Sequence, residues 1–594
     1  MGISLDQLIK SVKKIKSYAN KILDEKLNIQ ADFLTDSGFG NARVNEGKFQ
    51  YYDKSSMTWK DSINAISEIS VHVVPKVMES ITMGIDLNNH CYKLKWKEPS
   101  DTVIDGQVVS VVEKVVIVRK KDSAPTSPTD GDVVITINRK QFGKHADSWY
   151  SDTTLNPIDG DVYYYKAFPY NNGELYCNSI NNEFHLVYRD YEFYGFRLDQ
   201  SESDPDSMIT YLEGVNNAGY APAAMNYTTS IFDYGDWSDT WFIKNCKPCM
   251  LKFDGTVDYY LDPDDYTKKE NGEASDVANS AYEGNAMIEF PKVYVKIARV
   301  EDNVVDIFIS SKKIDDTYHC YAHLDSNSNE MDYTYMSIYN GSSVSSKLRS
   351  LSGRACAREL TIAKNISYAE ANNVSDDNAI WNIETYGDRQ LITILLLLMA
   401  KTTDSKTAYG NGNMYYSSGS TYSSFINTGT MDDKGLFWGS NSTSKVGVKV
   451  FGMENYWGQQ NRFILGVITD AKKISKVKLY ANDGESSGYN LTGDGYREVG
   501  IVSGSGFIDK TYIDSDMLGV FIPKSFKGSK STYYNCYSSN YSSDIADLCA
   551  AVVGGSCYTG NSNKGVGIFY FGHPAISYSN WSTGAVLSCK PLKK

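Results

Sequence analysis

The chain of 594 residues has a formal net charge of −13, with charged residues at only 22% and aromatics at 13%. That balance leaves no basic face to neutralise phosphates, which excludes a general nucleic-acid binder. The length exceeds what one hydrophobic core supports, so several domains are expected. The 45 tyrosines accompany 46 glycines and much Ser and Asn. Such a mixture suits surfaces that bind by contact area, because Tyr offers large rigid contacts while Ser, Gly and Asn adapt the hydrogen bonding. A β-rich protein whose tyrosines line its strands has the same composition.

The N-terminal residues lack a long apolar stretch followed by a small-residue cleavage site, so no signal peptide is expected and synthesis is placed in the cytoplasm. Ten cysteines spread over the whole length do not read as a disulfide framework. Leu5, Leu8, Val12, Ile15, Ala19 and Ile22 follow heptad spacing with lysines outside. The expectation for residues 1–30 is a coiled-coil helix for oligomerisation or attachment, with a homotrimer as the guess and packing on this chain's own next domain as the other reading. Residues 31–87 give no clear pattern and are assigned to a connector.

Residues 88–188 read as an all-β sandwich. Cys91–Trp96 alternates, Glu113–Arg119 and Val162–Phe168 are further strands, and Ser123–Gly131 is a loop rich in breakers. The order of Trp96, the Val-Arg-Lys strand, the Asp-Gly loop and Tyr163-Tyr-Tyr-Lys-Ala-Phe-Pro-Tyr170 resembles the fibronectin-III-like modules of phage tail proteins.

In residues 189–345, Cys246-Lys-Pro-Cys249 is a lone CxxC, and His319-Cys-Tyr-Ala-His323 is the nearest source of further zinc ligands, off the usual spacing. Two ordinary buried thiols are the alternative. Carboxylates cluster at Asp254–Asp258 and Asp262–Asp265 but lack the EF-hand glycine and terminal glutamate, so solvated turns are expected. No metal and no cofactor is expected.

Residues 378–406 hold the longest apolar run, Leu391 to Ala400 broken only by Thr393. Ten residues give about 15 Å of helix, short of a bilayer's hydrocarbon core, so the run is expected at the centre of a water-soluble domain, without membrane insertion. Glu384, Asp388 and Arg389 beside it read as a capping and ion-pair cluster. No GxSxG, HExxH or P-loop pattern is present, and no enzyme activity is expected.

Longer stretches carry a second resemblance. Lys247–Leu261, Gly284–Pro291, Leu348–Gly353 and Val448–Gly458 are similar to a family of prophage tail-fibre proteins from Gram-positive gut bacteria. The close of the chain, with Gly554-Gly-Ser-Cys-Tyr558, Gly565–Phe569 and Ser582–Ser588, resembles the ending of C-type-lectin-fold proteins, although Cys557 stands where that pattern has Trp. Glycines permit tight turns there, and Tyr558, Tyr570, His573, Tyr578, Asn580 and Trp581 would then crowd one ligand-binding face, to which Thr532–Ser543 adds more of the same residue types.

Together with the heptad seam, the resemblances imply a multidomain chain: the N-terminal coiled coil, a fibronectin-III-like all-β sandwich, then 189–345 leading into a large α+β C-type-lectin-like host-binding domain at 346–594. They imply a receptor-binding component of a virion tail that attaches a phage or phage-like particle to a bacterial surface glycan or surface-layer protein. The N-terminus would dock to baseplate or other tail proteins. The rivals are a structural tail or decoration protein without host contact, and a surface-polysaccharide depolymerase.

Overall fold

The computed structural model describes residues 74–592 apart from 105–106, 376–379, 414, 416–421, 471, 485, 503, 514–520, 540–547, 558–568 and 571–575, together with four strands within residues 31–61. The chain forms two compact units, Met1–Asp190 and Tyr191–Lys594.

In the first unit, Ala31–Asp32, Phe39–Asn45, Lys48–Asp53 and Thr58–Asp61 pair in chain order as an antiparallel sheet. Beyond them, two antiparallel sheets enclose one core. One is ordered Asp132–Asn138, Val112–Lys121, Val162–Asn171, Glu183–Val187; the other Tyr150–Ser151, Cys91–Lys97, Ser80–Asp86. Alternation along each strand sends Ile81, Met83, Tyr92, Leu94 and Trp96 from one sheet against Val115, Ile117, Tyr165, Ala167 and Leu186 from the other. A buried Arg119–Asp152 ion pair at 2.5 Å, with Tyr165 donating to the same carboxylate at 2.7 Å, joins strands to loop inside this core.

The second unit is organised around the helix Tyr386–Ala400, of which every residue is buried. Thr385 caps it, accepting from the Asp388 amide while Asp388 accepts from the Thr385 amide, a reciprocal capping box. The far end is closed by tertiary donors. Its last carbonyls have no intrahelical partner, and Tyr409 donates to Leu396 O, Tyr211 to Leu398 O, and the Ala223 amide to Met399 O, at 2.8–2.9 Å. Lys401 stops it in the left-handed region, at φ 52°.

Three principal sheets surround the helix. Seven antiparallel strands are ordered Asp265–Lys269, Val257–Asp262, Lys247–Lys252, Gly284–Pro291, Tyr333–Ser337, Leu587–Cys589, Trp381–Ile383, so the end of the chain pairs between strands from its middle. A second sheet is ordered Arg497–Ile501, Ile474–Val477, Asn461–Thr469, Cys549–Val553, Phe569–Tyr570, with Thr583–Gly584 parallel to the start of Asn461–Thr469. These two share one core, in which Leu251, Met287, Trp381 and Leu587 meet Phe463, Leu465 and Val552. Ile209–Tyr211, Phe193–Asp199, Val304–Ser310 and Tyr294–Glu301 make the third.

Two parts of the expected fold are corrected. The large C-terminal region is not α+β: among the described residues there are four α-helices, and only Tyr386–Ala400 exceeds nine residues. Outside that helix the chain is punctuated by Gly, Asn and Ser, which favour turns over helix interiors, and its apolar residues pair across strands. No N-terminal coiled coil is among the described elements, and the heptad seam at residues 5–22 lies outside the described residues.

Candidate functional site

The part of the expected binding face that is described is a loop pinned to the core on both sides. Ile576 donates its amide to Leu548 O at 3.3 Å, and Asn461 donates to Ser582 O at 2.9 Å just before the Thr583–Gly584 strand. Between these anchors Asn580 acts as the internal brace. Its Oδ1 accepts from the Ser582 amide and hydroxyl at 2.9 and 3.0 Å, and its Nδ2 donates to the Tyr578 hydroxyl at 2.7 Å. The Asn580 carbonyl accepts from the Glu359 amide at 3.0 Å, which ties in a segment more than two hundred residues upstream.

Trp581 stands edge-on to Phe425, centroids 5.7 Å apart and planes at 84°, and the Arg358 guanidinium lies 5.3 Å over the same Phe425 ring. Phe425 is buried, whereas Arg358, Tyr578, Asn580 and Trp581 are half-exposed and Glu359 is exposed. The result is a shelf that carries the half-exposed rings of Tyr578 and Trp581, braced by Asn580, with the Arg358 guanidinium at its rim. Ring surfaces of this kind take the C–H faces of sugars or apolar side chains, while the rim groups hydrogen-bond hydroxyls or backbone.

The structure thus brings together Tyr578, Asn580 and Trp581 of the six expected positions. Tyr570 is placed by its backbone alone, opposite Val552, and Tyr558 and His573 lie outside the described residues. Arg358, Glu359 and Phe425 are additions that no local pattern announced. Part of the Thr532–Ser543 stretch faces inward: Tyr534 is buried and donates to Gln200 Oε1 at 3.0 Å, and Cys536 is buried. Beside these two and the central helix a cavity of about 10 Å³ offers room for roughly one water.

The chemistry-bearing clusters flagged in the sequence have internal partners. All ten cysteines are buried and none forms a disulfide. His323 is buried, bonds Phe290 O at 3.3 Å, and burial pushes its pKa down to about 3. No group of three or more His, Cys, Asp or Glu side chains among the described residues is arranged to hold a metal ion. The carboxylates near Asp254–Asp265 brace their own turns, as Asp254 Oδ1 does for the Thr256 amide and hydroxyl.

Buried carboxylates hold structure. Glu289 accepts from the Tyr260 and Tyr335 hydroxyls, both at 2.9 Å. Glu454 accepts from the Gly429 and Met431 amides at 2.8 Å, while Lys449 donates to Met431 O at 2.7 Å. Burial drives both of these charges toward neutrality, Glu454 up to about 7 and Lys449 down to about 8.

No protein-family model and no curated protein matches this chain.

Proposed function

We propose that the protein is a receptor-binding component of a phage or phage-like tail, which attaches the particle to a glycan or protein of a Gram-positive cell surface without covalent chemistry. The observation that carries this reading is the braced shelf of Tyr578, Asn580 and Trp581. A loop anchored at both ends, with its aromatic rings half-exposed and its rim polar, has already lost the freedom that binding would otherwise remove. The resemblance gives the N-terminal region the role of docking to other tail proteins.

Several buried acids have structural roles. Glu289, Glu384, Asp388 and Glu454 are spent on tyrosine hydroxyls, cations and backbone amides inside the fold. A surface-polysaccharide depolymerase needs two carboxyl groups roughly 5 to 9.5 Å apart and open to substrate.

The test uses the full chain and a Tyr578→Ala/Trp581→Ala variant, applied to cell-wall extracts from a panel of Gram-positive bacteria. A melting curve matching the parent's confirms that the variant is folded. The expected result is saturable binding by the parent and a loss of at least about tenfold in the variant, in line with truncated aromatic anchors. Equal binding by both proteins would remove the shelf from the reading.

A further inference from the structure

Near the start of the central helix, two arginines are buried against one tyrosine. Arg389, Arg462 and Tyr456 are 0%, 2% and 1% exposed, and the two guanidinium carbons stand 4.0 and 5.4 Å from the Tyr456 ring centroid. Glu384 is the one carboxylate paired with them among the described residues: its Oε1 lies 3.0 Å from Arg389 Nε and its Oε2 4.0 Å from Arg462 Nη1. Asp388, one residue before Arg389, is engaged by Lys590 at 2.8 Å and by the Ser588 hydroxyl at 2.9 Å. Two buried cations therefore share one anion. An uncompensated charge in an interior is among the most unfavourable arrangements a fold can hold. Burial pushes the Arg462 guanidinium down, to about 10, against the opposing pull of Glu384.

The hydrogen-bond inventory has the same sign. Arg462 Nη2 donates to Glu454 O, Asn455 O and Asn340 Oδ1, at 3.0, 2.7 and 3.2 Å. Five donors in this cluster have no hydrogen-bond partner among the described residues: Arg389 Nη1, Arg389 Nε, whose contact with Glu384 is an ion pair without hydrogen-bond geometry, Arg462 Nε, the Tyr456 hydroxyl and Asn340 Nδ2. Buried donors are rarely left unpaired, and each unpaired one is destabilising. A water could accept from only two of them and would turn its own protons toward two guanidinium groups. A monovalent anion accepts from several donors at once and cancels the excess charge.

We infer that Arg389, Arg462, Tyr456 and Asn340 form an internal binding site for one small inorganic monoanion of the halide class, taken up as the second unit folds. The enclosure of all four residues, none more than 2% exposed, limits the occupant to a few atoms. The anion binds the native state and not the unfolded chain, so its concentration sets part of the stability.

Two measurements on the full chain test the site. Thermal melts at constant ionic strength, with chloride exchanged for the bulky gluconate anion, should show a melting temperature that falls without chloride and recovers hyperbolically as it returns. Tyr456→Phe, which removes one donor and keeps the ring, should shrink that chloride-dependent shift at least about twofold. Ile231→Ser, at a side chain 67% exposed, should leave it unchanged. Crystals grown in bromide should give an anomalous peak within hydrogen-bonding reach of Arg389 Nη1 and Arg462 Nε. A melting temperature indifferent to the exchange, or ordered water at that position with bromide only on the surface, would overturn the inference. The bromide experiment needs no variant and so stands even if Tyr456→Phe fails to fold.

Discussion

Replacing Asp388 by Asn would test whether the central helix is held from its first turn. The side chain is 1% exposed and does three things. Oδ2 accepts from the Thr385 amide at 3.1 Å and the Ser588 hydroxyl at 2.9 Å, and Oδ1 accepts from Lys590 Nζ at 2.8 Å. Asparagine keeps the shape but can offer an acceptor to only one side, and it removes the charge opposite a mostly buried ammonium. Breaking a buried pair in this way costs about 3–5 kcal/mol, most of it from the charge left behind. An unfolding entropy of about 2.1 cal/mol/K per residue over roughly 400 residues gives about 0.85 kcal/mol/K. The melting temperature of the second unit should accordingly drop by about 4–6 °C. Differential scanning calorimetry of the full chain reads this as a shift of one transition. Adding Lys590→Met should restore part of the loss, with a coupling of at least about 1 kcal/mol. A drop below about 1 °C, or strictly additive losses, would refute the argument that this pair closes the helix N-terminus onto the last strand.

Two further outcomes follow from the same interior. His323 is kept neutral by burial, helped by the nearby Lys590 and Lys292 and opposed by Asp388, so its folded pKa of about 3 lies below its ordinary 6.5. Its stabilising contribution is complete above pH 6.5 and is lost as the pH falls toward 3, by at most about 1.4 kcal/mol per pH unit; melting curves across that window should show a shallower acid limb in His323→Gln, and identical limbs would contradict it. Tyr409→Phe leaves Leu396 O without its donor and should cost about 1–3 kcal/mol in urea or thermal unfolding, whereas a neutral result would mean that the helix end is satisfied in another way.

The central helix was legible because its apolar run is unbroken enough to demand burial on every side; Asp388 was read as part of a capping and ion-pair cluster, whereas its capping partner Thr385 was not singled out. Strands such as Cys91–Lys97 and Val112–Lys121 were legible through alternation. What local pattern could not supply was pairing at a distance. Thr583–Gly584 and Phe569–Tyr570 are strands of two residues, defined by partners around residues 461 and 552 and not by any periodicity of their own. The four strands between Ala31 and Asp61 carried no signal strong enough to read. The α+β expectation came with the resemblance to C-type-lectin-fold proteins, and it went uncorrected because one obvious helix was visible and many short strands were not.

Half of the shelf was legible for a related reason. Tyr578, Asn580 and Trp581 cluster in sequence, but Arg358, Glu359 and Phe425 join them only through folding. Composition left the tyrosines either as a contact surface or as the lining of strands, and several of them work inside: Tyr211 and Tyr409 close the helix, and Tyr260 and Tyr335 clamp Glu289. A ring that is largely apolar with one hydroxyl at its tip is suited to satisfying a buried carbonyl or carboxylate at the edge of a core.

The central claim is adhesion through an exposed, pre-fixed surface. Its most direct test is the binding of the labelled full chain to intact Gram-positive cells from a strain panel, read by flow cytometry against unlabelled competitor. Saturable, competable binding to a subset of strains, with surface polymer left intact, is the predicted result. Uniform absence of binding by the folded protein across the panel would contradict the account and favour a structural place in the tail.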